Sequence, residues 1–79
     1  MIRENLIIAL LSKYEGEMAE AKANIEVYLS NPVGIGEHPD IIAALDSQVA
    51  KYAEADEKWN VVNDNFLGDG DESEDYGQS

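Results

Sequence analysis

Between Ile7 and Tyr28, apolar side chains recur at Ile7, Leu11, Tyr14, Met18, Ala21, Ile25 and Tyr28, in steps that alternate between four and three residues. Steps averaging 3.5 residues keep one stripe of an α-helix turned toward a partner helix at a shallow, left-handed crossing. The pattern predicts a helix over about residues 2–30. A second run, Ile41, Leu45, Val49, Tyr52, Ala55, Trp59, Val62 and Phe66, averages about 3.6 residues per step and predicts a helix over about residues 39–66. The two are matched in length, at roughly 28 residues and ~42 Å each. Between them, the stretch Asn31–Asp40 holds both prolines, two of the six glycines and the only histidine. Pro32 and Pro39 fix φ and remove a backbone donor, and glycine admits backbone angles that other residues avoid, so the chain stops, turns over residues 31–38 and restarts. The expected fold is all-α: an antiparallel two-helix hairpin over residues 1–67.

Folding the chain about that stretch brings together positions whose numbers sum to roughly 69 or 70, because both helices rise equally per residue. Ala21 then faces Val49, Tyr14 faces Ala55, Met18 lies near Tyr52 and Leu11 near Trp59, so that large side chains meet small ones. The fifteen positions of the two runs are the expected hairpin core. At the start of the first helix Ile2, Leu6, Ile8 and Leu10 add apolar surface around the stripe. One partner helix cannot cover all of it, and a helix apolar on most sides is buried on most sides. These four residues are therefore an expected interface, either of a homodimer in which two hairpins close into a four-helix bundle or with a different bound protein, and symmetric pairing is the simpler of the two.

Composition sharpens this expectation. A chain of 79 residues rarely draws more than roughly 3 to 5 kcal/mol from a single core, and with no cysteine there is no disulfide to add to it. Oligomerisation is the remaining staple. Seventeen acids against five bases give a net charge of −12, which repels phosphate backbones and anionic membrane surfaces. No direct nucleic-acid binding and no membrane association are expected; no stretch approaches the ~20 apolar residues of a membrane span, and the apolar run Leu6–Leu11 is too short for a signal peptide. The expected location is the cytoplasm. After Leu67 the chain carries five acids, no base and no aliphatic residue, so residues 68–79 are expected to be a disordered acidic tail.

The inventory for catalysis is thin, with no Cys, no Thr and one His. A Ser-His-Asp arrangement would have to use His38, and Asp40 is better explained as a residue that starts a helix. Glu-x-x-His pairs, which build di-metal sites in helical bundles, do not occur. Tested against the calcium-loop pattern from Asp69, the tail matches at Asp69 and Asp71 and fails at Ser73 and Glu74. The chain reads as non-enzymatic, with no cofactor and no metal, and with Val33, Ile35, His38 and Asp40 as loop positions available to a partner.

His38-Pro39-Asp40 resembles the tripeptide in the loop of J-domain cochaperones and stands at the same topological place. J-domains carry a strongly basic helix before it, however, and here Arg3, Lys13 and Lys22 are outnumbered by Glu4, Glu15, Glu17, Glu20 and Glu26. Lys13–Leu29 (KYEGEMAEAKANIEVYL) and Asn31–Ile41 (NPVGIGEHPDI) are similar to segments of small acidic helical proteins of large tailed bacteriophages. That resemblance implies a viral protein made in the bacterial cytoplasm. The function expected is that of a self-associating hairpin that binds another protein of the phage or host. The alternative is an acidic mimic of nucleic acid that occupies a basic cleft of a host protein, and a lower alternative is a J-domain-like cochaperone acting through His38-Pro39-Asp40.

Overall fold

A computed structural model describes residues 2–31 and 40–67, which form two α-helices, α1 (Ile2–Ser30) and α2 (Ile41–Phe66), packed against each other in antiparallel fashion. Among the described residues there is no strand. The expectations for Val33, Ile35 and His38, for the loop and for the acidic tail lie outside the described residues.

Side-chain hydrogen bonds mark the close of α1 and the start of α2. At the close of α1, Ser30 Oγ donates back to the Glu26 carbonyl at 2.8 Å, and the Asn31 amide donates to the Val27 carbonyl at 2.9 Å. α2 starts at Ile41, two residues later than the proline-based expectation, because Asp40 is the N-cap: its Oδ1 accepts from the Ala43 amide at 3.2 Å. An aspartate there satisfies an amide that the first helical turn leaves without an intrahelical partner, and its charge lies at the positive end of the helix dipole.

The pairing of the helices is shifted as well. Between residues 30 and 39 the midpoint gives pairs that sum to 69; between 30 and 41 it gives 71. The observed cross-helix partners lie on the higher side. Asn24 pairs with Gln48 and Tyr14 with Lys58, each summing to 72, and Glu15 pairs with Trp59, summing to 74. The expected neighbours Ala21 and Val49, Tyr14 and Ala55, Met18 and Tyr52, and Leu11 and Trp59 are displaced accordingly.

The interior is narrow. Ala21 and Ala55 are 1% and 2% exposed, and Leu11 and Val62 are buried beside them. Ile7, Tyr14, Met18, Ile25, Tyr28, Ile41, Leu45 and Trp59 are partly buried. Three expected core residues are instead at the surface: Val49 is 51% exposed, Phe66 50% and Tyr52 39%, while Gln48 is buried at 8%. For Val49 the reason is the period. Two helices at a shallow crossing touch along a 3.5-residue stripe, and from Leu45 that stripe steps by three to Gln48, not by four to the more apolar Val49. Tyr52 and Phe66 do stand on the stripe. Among the described residues, however, no third element lies over them, so their rings keep one side in water.

Candidate functional site

In heptad terms the α1 stripe places Tyr14, Ala21 and Tyr28 at d and Leu11, Met18 and Ile25 at a; α2 places Gln48, Ala55 and Val62 at d and Leu45, Tyr52 and Trp59 at a. The two broad faces of the hairpin then differ in kind. One carries the d and g positions, the other the a and e positions.

The d/g face is a polar groove floored by Ala21 and Ala55 and walled by Glu17, Asn24, Gln48 and Lys58, among others. Asn24 Nδ2 donates to Gln48 Oε1 at 3.1 Å across the helix pair, so the carbonyl oxygen of the one buried polar residue among those described has a partner. Lys58 Nζ lies 3.3 Å from Glu54 Oε2 and 5.7 Å from the centre of the Tyr14 ring, a cation over an aromatic face on the neighbouring helix. Lys13 donates to Glu17 one turn along α1; this hydrogen bond and the charge of each partner raise the Lys13 pKa and lower that of Glu17. Both groups face water, where such a pair adds little to stability.

The a/e face is apolar. Ile25, Val49 and Tyr52 line a shallow groove with the stem of Lys22 at its rim. Farther along, Trp59 lays its ring across the edge of the pair, with Nε1 donating to Glu15 Oε2 at 2.9 Å. Outside the stripe Ile8, Leu29 and Ile42 extend the same face.

The expected interface residues Ile2, Leu6, Ile8 and Leu10 are all exposed on the hairpin, and Asp40 is occupied as the cap of α2. Asn24 and Gln48 do not belong to the expected site residues, although Gln48 stands at a d position once a strict heptad is followed. Among the described residues no three His, Cys, Asp or Glu side chains gather as metal ligands would, and no helix is long and apolar enough to cross a membrane. No protein-family model, curated protein or solved structure matches the chain.

Proposed function

We propose that this is a non-enzymatic interaction protein: a helical hairpin that associates with a second copy to form a four-helix bundle and in that form binds another protein. The setting that the sequence resemblance implies is the bacterial cytoplasm during phage infection. One observation carries the reading. Among the described residues only Leu11, Ala21, Ala55 and Val62 are buried apolar side chains, whereas twelve large apolar residues are exposed, among them Ile2, Leu6, Ile8 and Leu10. A helix pair so poorly covered has little to set against its ordering entropy, and at roughly 25 cal/mol per Å2 the uncovered surface is the largest reserve of stabilisation left to it. Burial against protein is what such a surface favours.

Sedimentation equilibrium of the full chain at micromolar concentration tests this. The expected mass is that of two chains, with association little affected by salt; a one-chain mass throughout that range would sink the reading. The net charge of −12 favours a second reading, an acidic mimic of nucleic acid for a basic host protein. Binding of that kind collapses steeply with salt and competes with DNA.

A further inference from the structure

The geometry points to the a/e face, the side of the hairpin bearing Ile42, Val49 and Tyr52, as the surface on which a second copy of this chain seats, related by a twofold axis. This rests on the self-association proposed above and adds where it occurs. Three observations single out this face and this occupant.

The first is thickness. Two helices side by side make one layer, 15 Å across in its thinnest dimension, and a stable domain needs two. The polar groove with its Asn24–Gln48 bond and flanking lysines is already closed to apolar packing, so a second layer has one apolar side on which to lie.

The second is asymmetry of charge. Between residues 8 and 66 the a and e positions of both helices carry only three charges, Glu15, Lys22 and Asp56, for a net of −1 in a chain of net −12. Two copies of a strongly acidic molecule repel one another across the outer sides of the helices, where six acids stand against Lys13. The polar groove, with Glu17 against Lys51 and Lys58, is set aside by its polarity and not by its charge. On the a/e face the copies do not repel one another, whereas a basic partner drawn by the overall charge would choose the acidic surfaces.

The third is size. Helices of 26 to 29 residues are about 39 to 44 Å long, and two of them side by side are about 20 Å wide, so the face offers about 800 Å2, the area each partner contributes to a standard interface. The residues left outside the narrow interior lie across it. Ile42 is 72% exposed, and Val49, Phe66 and Ile8 are each about half exposed. Of the four N-terminal residues expected at the interface, Ile8 alone belongs to this face; Ile2 and Leu6 point to the outer side of α1 and Leu10 toward the polar groove.

The test compares the full chain with Ile42→Glu, Val49→Glu and Leu6→Glu by sedimentation equilibrium. The wild type and Leu6→Glu should run as two chains at micromolar concentration. The other two should dissociate at least a hundredfold more readily and run as one. Because a variant freed from its partner can lose helix, the wild type is also examined directly: in an equimolar mixture of isotope-labelled and unlabelled chains, intermolecular NOEs should reach the methyls of Ile42 and Val49. A dimer whose intermolecular NOEs fall instead on Leu6 or Ala44, or one indifferent to Val49→Glu and Ile42→Glu, overturns this placement and leaves self-association standing. A wild type of one-chain mass overturns both.

Discussion

Replacing Gln48 probes the register of the hairpin most directly, because that residue is buried where the apolar pattern calls for its neighbour. Its Oε1 accepts one neutral hydrogen bond from Asn24, worth a net ~1 kcal/mol. In Gln48→Leu that bond is lost, but two apolar carbons take the place of the amide. At about 0.8 kcal/mol each they contribute ~1.6 kcal/mol, and the net expectation is a gain of about 0.5 kcal/mol. Asn24 is only partly buried and borders an open groove, so water replaces the lost partner and the full penalty of an unsatisfied buried group does not arise. Gln48→Ala loses the same bond together with one packed methylene, a cost of about 2 kcal/mol. The difference between the two variants, about 2 to 2.5 kcal/mol, is the quantity to measure, since errors common to both cancel. Urea unfolding followed by circular dichroism supplies it, with protein concentration held constant because association shifts apparent stability. If Gln48 stood on the surface, Leu and Ala would differ only by helix propensity, a few tenths of a kcal/mol. A measured difference below about 0.5 kcal/mol would therefore refute the register described above.

Gly16 lies in the middle of α1 with nothing within 4 Å of where a Cβ would stand, so Gly16→Ala should raise stability by about 0.5 to 1 kcal/mol, visible as a higher urea midpoint with unchanged slope. Asp40→Ala removes the cap of α2 and should cost about 1 kcal/mol, with Asp40→Asn restoring most of it; equal stability of all three chains would show that the cap contributes nothing. Trp59→Ala should cost about 2 to 3 kcal/mol, less than for a fully enclosed ring, and Trp59→Phe under about 1 kcal/mol, because the indole N–H bonds to an exposed carboxylate. Deleting residues 68–79, which contain no aliphatic side chain, should leave the thermal midpoint within a few degrees of the full chain; a larger fall would mean that the acidic segment docks on the helices.

The helical class, the two segments and their approximate ends follow from the residues alone, because each is a local property. A 3.5-residue apolar period stabilises a helix only as one stripe, and Pro32 and Pro39 interrupt any single long helix whatever lies elsewhere in the chain. Leu11, Ala21, Ala55 and Val62, four of the positions in that pattern, are the buried apolar residues among those described. Register and sidedness are not local. Asp40 caps α2 two residues after the expected start and the observed pairs across the hairpin sum to 72 and 74, while the side chains at Val49 and Gln48 exchange inside for outside against the order of their hydrophobicity. Tertiary packing decided that exchange. Two helices packed along each other touch along the strict 3.5-residue stripe, on which Ala21 and Ala55, thirty-four residues apart in the chain, are the least exposed residues. Gln48 lies on it with Asn24 in reach, Val49 lies one position off it, and Tyr52 and Phe66 remain exposed.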